Sequence, residues 1–146
     1  MKKKRVWLWI LLPLALCQTV LLMWGRSSQW GISQFVTLHQ NDLEKIASDR
    51  LNGFQTAEQY RGIVVEGVFS GKHPIVQFSS GGFGLAPSTT YYGFYYSEDD
   101  VPVAFQNVDI ELVPTGNDKW TWSDGTDNGG TTQRISECWF SYQAWF

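Results

Sequence analysis

Aromatic side chains are the residues of this chain best suited to bind a ligand. The sequence holds eight tryptophans, six tyrosines and nine phenylalanines, and many of them alternate along segments that predict β-strands. Exposed rings on a sheet form flat apolar surfaces with polar edges, which suit sugar faces or a protein partner. The rings predicted to form such a binding surface are Tyr92, Tyr96, Trp120, Trp122, Trp139 and Trp145. The alternative is that these rings fill the core as cross-strand pairs.

Groups suited to catalysis follow no specific motif in this sequence. His39 precedes a predicted helix, His73 precedes a proline, and Cys138 lies on an aromatic strand. A nucleophile needs a histidine and an orienting group within hydrogen-bond reach, and nothing in this spacing indicates that arrangement. Paired carboxylates such as Glu66 and Glu111 would suit glycoside hydrolysis, but both are expected at solvent-facing strand positions. We therefore predict no catalytic residue, and a hydrolase is the second alternative.

Four oxygen-bearing side chains near the end of the chain are of the kind that bind calcium. They are Asp118, Asp124, Asp127 and Asn128. Their spacing differs from that of an EF-hand loop, and Asp-Gly and Asn-Gly pairs are typical of ordinary turns. The sequence therefore predicts no metal and no other cofactor.

The first 24 residues have the pattern of a membrane anchor. Four basic residues at positions 2–5 precede an apolar run, residues 6–24, which contains no charge. Nineteen such residues would form a helix of ~28 Å, close to the ~30 Å hydrocarbon thickness of a bilayer. The basic start predicts a single-pass protein of the cytoplasmic membrane with its N-terminus inside and its domain outside. The alternatives are a signal peptide that is cleaved before secretion and a lipoprotein acylated at Cys17.

The predicted export changes how the charge of the chain is interpreted. Residues 25–146 contain seven basic and fourteen acidic side chains, a net charge of −7, against −3 for the whole chain. A domain of that charge is not expected to bind nucleic acid, because such binding depends on the neutralisation of phosphates by lysine and arginine. The predicted organisation is a cytosolic segment at 1–5, the anchor at 6–24, a linker at 25–33 and one extracytoplasmic domain at 34–146.

One helix is predicted in that domain, over residues 42–51. Asn41 is a suitable N-cap, Glu44 completes a capping box, and Asn52-Gly53 is a stop signal. From residue 62 onward apolar residues alternate with polar ones, which predicts strands joined by short turns. The phase of this alternation changes near Gln106 and Asn107, which predicts a break there.

These elements predict an α+β fold class. We expect an N-terminal transmembrane helix, followed by one helix packed on a mostly antiparallel sheet of about six strands. An all-β sandwich is the alternative if the helix only decorates the surface.

The second half of the domain resembles a group of small exported or membrane-anchored proteins of Gram-positive bacteria. The resemblance rests on FGLAPS at residues 83–88, YYGFYYS at 91–97, QRI at 133–135, WF at 139–140 and AWF at 144–146. It implies a setting at the cell surface, and it implies no catalytic residue.

The function predicted from the sequence is a membrane-anchored, extracytoplasmic binding or protein-interaction module without catalytic activity. Its expected partners are the membrane, through residues 6–24, and a protein or cell-wall glycan. The first alternative is a glycan-binding module that uses the same rings to stack on sugars.

Overall fold

A single helix and eight strands make up the described part of the chain. The computed structural model describes residues 25, 27–85 and 88–146. The elements are α1 (Gln29–Leu51), β1 (Gln59–Tyr60), β2 (Ile63–Phe69), β3 (Ile75–Leu85), β4 (Ser88–Ser97), β5 (Val113–Gly116), β6 (Lys119–Ser123), β7 (Gly129–Ser136) and β8 (Trp139–Trp145). A short 3-10 helix, Phe105–Asn107, lies between β4 and β5.

The eight strands form one antiparallel sheet with the order β1-β2-β3-β4-β8-β7-β6-β5. The strands β1 to β4 follow one another across one half of the sheet, and β5 to β8 follow one another across the other half. The two halves meet where β4 pairs with β8. The chain must therefore pass from the centre of the sheet to its far edge between β4 and β5.

The predicted fold class is wrong, because the structure is mostly β, with eight strands instead of about six. The final segment, predicted as one strand, is the hairpin of β7 and β8, and short edge strands account for the rest. Cys138 turns this hairpin with a φ of 62°, and its backbone N–H donates to Asp100 Oδ1 over 2.7 Å. Neither Glu137 nor Cys138 is a typical turn residue, so the turn left no local signal in the sequence.

No helix in the described residues is both long enough and apolar enough to cross a membrane. The predicted anchor, residues 6–24, and the predicted cytosolic segment, residues 1–5, lie outside the described part of the chain.

Helix α1 begins thirteen residues earlier than predicted, at Gln29 instead of residue 42. The hydroxyl of Ser28 caps it by accepting from the Gly31 N–H over 3.1 Å, and residues 29–33 of the predicted linker, residues 25–33, lie in this helix. The backbone of His39 departs from helical geometry, with φ −122° and ψ 16°. The predicted start at Asn41 lies just beyond this kink. The predicted end is confirmed, since α1 ends at Leu51 and Gly53 has a φ of 80°.

One face of the sheet packs against α1. The helix contributes four buried residues, Ile32, Val36, Leu43 and Ala47, and it packs on β2, β3, β4 and β8. Phe78, Phe94 and Trp139 are fully buried beneath it, and Phe78 stacks on Phe94 with their ring centroids 4.9 Å apart. We call this side of the sheet the helix face.

The opposite face, here called the second face, is covered by the connection from β4 to β5, residues 98–112. Val103, Ala104 and Phe105 of this segment are buried against Ile75, Tyr95, Trp122, Phe140, Tyr142 and Ala144 of the sheet. The predicted break near Gln106 and Asn107 is confirmed, since both have a φ of 54° within the 3-10 helix. Both faces of the sheet are therefore covered at least in part, one by a helix and the other by an irregular segment.

Buried hydrogen bonds fix the segment 98–112 to the second face. The Tyr95 hydroxyl accepts from the Val103 N–H over 2.8 Å and donates to the Val103 carbonyl over 3.1 Å. The Thr132 hydroxyl donates to the same carbonyl over 2.8 Å. Burial raises the pKa of Tyr95, so its hydroxyl remains protonated and able to donate.

The hairpin of β3 and β4 extends beyond the neighbouring strand. Pairing of β2 with β3 ends at Ser79, whereas pairing of β3 with β4 continues as far as Leu85 and Ser88. Phe83 and Leu85 occupy this extension and are 77% and 88% exposed.

Two leucines of α1 test whether the helix face is a packed core. Leu43→Ala should lower the free energy of unfolding by about 2–5 kcal/mol, because Leu43 is fully buried. The matched change Leu38→Ala should alter it by no more than about 0.5 kcal/mol, since Leu38 is 75% exposed. Urea unfolding of both variants measures the difference, and equal effects would contradict the observed orientation of the helix.

Candidate functional site

The six rings predicted to bind a ligand do not form one surface. Tyr92, Tyr96, Trp139 and Trp145 lie on the helix face, and Trp120 and Trp122 lie on the second face. Trp139 is fully buried and Trp122 is 5% exposed. Tyr92 and Tyr96 pack at the margin of the core under α1, and Trp120 packs at the margin of the other core. The arrangement leaves Tyr92 and Trp145 as the rings closest to an uncovered part of the helix face.

The carboxylates considered for hydrolysis are not paired with each other. Glu66 lies on β2 and accepts a hydrogen bond from the side chain of Gln77. Glu111 is exposed. It lies in the irregular segment, so its predicted strand position is wrong. Burial raises the pKa of the Cys138 thiol, which disfavours the thiolate.

The acidic residues considered for calcium serve local structure. Asp124 accepts from the backbone N–H and the hydroxyl of Thr126, and also from the side-chain amide of Asn128. These bonds lower the pKa of Asp124. Across residues 25, 27–85 and 88–146, no group of three or more histidine, cysteine, aspartate or glutamate side chains could hold a metal ion.

Polar side chains instead cluster on the part of the helix face that α1 leaves open. They form two cross-strand rows, and we call the six residues together the polar ladder. One row runs Ser141, Gln133 and Lys119 across β8, β7 and β6, and the next runs Gln143, Thr131 and Thr121 across the same strands.

The register of the strands places this ladder beside the helix. Ser141 pairs with Phe94 and Gln143 pairs with Tyr92, both on β4. The first turn of α1 reaches the inner end of the ladder, where the Gln29 side-chain amide donates to Ser141 Oγ over 3.5 Å. The ladder therefore begins where the helix ends its coverage and extends outward over β7 and β6.

Most of the ladder's polar atoms are not used by the fold. Ser141 donates to the Gln133 carbonyl over 3.2 Å, and Thr121 donates to the Gly130 carbonyl over 3.1 Å. The side chains of Thr131, Gln133, Gln143 and Lys119 form no hydrogen bond or ion pair with any described residue. Thr131, Gln133 and Lys119 are half-buried and Gln143 is exposed, so the polar atoms of these four side chains are accessible to a ligand or to solvent.

The Trp145 indole lies beside the ladder on β8, next to the row of Gln143, Thr131 and Thr121. Trp145 pairs with Gly129 of β7, and its Cζ2 and Nε1 atoms come within 3.1 Å of the point where a Cβ on Gly129 would lie. The indole can occupy this position only because residue 129 has no side chain. The next residue, Gly130, is covered in the same way by Trp122 on the second face.

The shape of this region indicates an open surface and not an enclosed pocket. A recess of about 50 Å³ lies between α1 and the ladder, lined by Gln29, Tyr92, Gln133 and their neighbours. Enclosed small-molecule sites are much larger, ~300–1,000 Å³. A ligand would therefore lie along the strands, with amides and hydroxyls that can both donate and accept hydrogen bonds.

A larger cleft on the second face has polar groups that are already paired. It measures about 570 Å³ and lies between the β2–β3 turn and the segment 98–112. The Asn107 side-chain amide donates there to the carbonyls of Phe69 and His73. His73 Nδ1 lies 2.5 Å from Asp99 Oδ2, and this bond lowers the pKa of Asp99. These contacts hold the segment 98–112 against the β2–β3 turn, so Asn107, His73 and Asp99 serve the fold.

The sequence did not predict the ladder, because the predicted binding surface rested on aromatic residues. The signal that could have revealed it is the alternation in β8, where Ser141 and Gln143 share a face with Trp145 while Phe140, Tyr142 and Ala144 share the other. That pattern marks a polar strip on an otherwise apolar strand.

The fold and the site together define a β-rich domain with one covering helix and a polar strip on its sheet. The chain matches no family model, no curated protein and no solved structure. The resemblance to small exported proteins therefore stays a hypothesis.

Two adjacent threonines on β7 test whether the side chains of the ladder contribute to the free energy of unfolding. Thr131→Ala should change the free energy of unfolding by no more than about 0.5 kcal/mol, because its hydroxyl bonds no described residue. Thr132→Ala should cost about 1 kcal/mol more, since Thr132 is fully buried and donates to the Val103 carbonyl. Urea unfolding of both variants measures the difference, which combines the lost hydrogen bond with the loss of the buried methyl group of Thr132. Equal losses would show that the ladder contributes to stability.

Proposed function

We propose that this protein is a non-catalytic binding module that holds its ligand on the polar ladder, outside the cytoplasmic membrane. The single observation that carries the proposal is a set of polar side chains, Thr131, Gln133, Gln143 and Lys119, that bond no described residue and are grouped on neighbouring strands. Their placement on strands of a sheet supports binding, because a rigid sheet fixes the spacing of the groups before the ligand arrives.

The chemistry of the ladder supports binding rather than catalysis. Amide, hydroxyl and ammonium groups recognise a ligand by hydrogen bonds, and within the described residues no histidine or carboxylate bonds to the ladder's hydroxyls or to Lys119 to activate them as nucleophiles. The location outside the membrane rests on the basic start and apolar run of the first 24 residues.

A triple change across the ladder tests the proposal directly. Full-length protein is unfolded thermally with soluble cell-wall glycan fragments and, separately, with a set of extended peptides. A ligand present at a hundred times its Kd should stabilise the native protein by ~2.7 kcal/mol. The variant Thr131→Ala/Gln133→Ala/Gln143→Ala should keep its own Tm and lose this stabilisation.

Gln59→Ala provides the control, because this exposed glutamine lies on β1 at the opposite edge of the sheet. It should bind like the unchanged protein. Equal stabilisation of the triple variant by every ligand that binds would refute the ladder as the binding surface.

A protein-interaction module is the second candidate, and the hairpin of β3 and β4 favours it. Phe83 and Leu85 project from the same strand face and are more exposed than the other large apolar side chains of the described residues. Exposed apolar side chains grouped in this way are typical of contact surfaces.

In-cell photocrosslinking distinguishes this candidate. A photoreactive residue at position 83 or 85 should give one defined protein adduct, and the same residue at Leu38, which is 75% exposed on α1, should give none. Matching adduct patterns from the two locations would argue against a specific partner at the hairpin.

A further inference from the structure

The charge of the ladder restricts the ligand that it would accept. Lys119 lies half-buried at the end of one row, and its ammonium group forms no ion pair within the described residues. Lys45 is paired with Asp49 and Arg134 is paired with Asp100, whereas Lys72, on the second face, resembles Lys119 in forming no ion pair with a described residue. The Lys119 ammonium, beside amides that bond no described residue, is suited to a ligand's negative group, and it supplies this attraction locally against the net charge of −7 of residues 25–146.

The uncharged part of the ladder matches a hydroxyl-rich ligand. The Gln133 and Gln143 amides and the Thr131 hydroxyl each offer both donors and acceptors, which is what sugar hydroxyls also do. These three groups lie on adjacent strands β7 and β8. Neighbouring strands are ~4.8 Å apart and successive rows on one face are ~7 Å apart, so one extended ligand could contact all three.

The Trp145 indole adds an apolar surface at the far end of the same strip. Trp145 lies four residues along β8 from Ser141, whose row ends in Lys119. That separation corresponds to ~14 Å along the strand, which exceeds the length of one sugar ring. Indole rings stack well on the apolar faces of sugars.

We propose that the ladder's ligand is a short oligosaccharide bearing a carboxylate, with a sugar ring on Trp145 and the carboxylate at Lys119. The inference rests on the proposed function, because it names the ligand class of the same surface. Lys119 supplies the preference for an acidic sugar, the glutamines and Thr131 bind hydroxyls, and Trp145 sets the direction of the chain.

An acidic oligosaccharide and its neutral ester form a matched pair of probes. Tetragalacturonic acid and its methyl ester are titrated into the full-length protein by calorimetry. The acid should bind roughly tenfold more tightly than the ester, because a hydrogen bond between charged groups is about twice as strong as a neutral one. Lys119→Gln should abolish this preference and Lys119→Arg should retain it.

Lys72→Gln serves as the control, because Lys72 is a surface lysine in the β2–β3 turn and lines the cleft of the second face. Its removal should leave both affinities unchanged. Trp145→Ala should lower the affinities for the acid and for the ester by the same factor, since stacking of a sugar ring on the indole does not depend on the carboxylate.

The outcomes separate the inference from the proposed function. Equal affinities for acid and ester, or no binding of either, would overturn the acidic oligosaccharide as the ligand. If a peptide then binds the unchanged protein and does not bind the triple ladder variant, the ladder remains a binding surface for another ligand. If tetragalacturonic acid binds and the triple variant binds it equally well, both proposals fail.

Discussion

The Tyr95 hydroxyl makes the contact on which the second face of the sheet depends. By bonding both the N–H and the carbonyl of Val103, it satisfies two buried backbone groups of a segment without regular structure. An unpaired buried backbone group costs about 1–3 kcal/mol. An irregular segment of this kind is therefore stable only where side chains replace the backbone hydrogen bonds that a strand would have formed. With the segment 98–112 in place, the aromatic residues beneath it become core.

Coverage of the two faces explains why the sheet has one polar strip. The connection from β4 to β5 lies over the second face, where Phe140, Tyr142 and Trp122 are buried. Helix α1 covers the other face mainly over β2, β3, β4 and β8. The strands β6 and β7 therefore have one apolar face and one face open to solvent, and the ladder occupies the open one.

The strands and the end of the helix could be predicted because their signals are local. The alternation of β2 and β4 and the stop at Gly53 need only neighbouring residues. The kink at His39 and the turn at Cys138 could not, because they depend on distant contacts such as the bond from Cys138 to Asp100. The sequence also could not predict which aromatic rings are exposed to solvent. Trp122 and Trp145 both contact the Gly129–Gly130 pair, yet one lies under the segment 98–112 and the other beside open sheet.

The extension of the β3–β4 hairpin has a free hydrogen-bonding edge, because β2 stops pairing at Ser79. Such an edge can recruit a strand from another molecule and start aggregation. Here Gly81 and Gly84 have φ values of 135° and 156°, and the register shifts between Ser79 and Gly81. The edge is thus too irregular to serve as a template for a foreign strand. The features that this hairpin presents to a second molecule are therefore the exposed side chains of Phe83 and Leu85 and not a regular backbone edge.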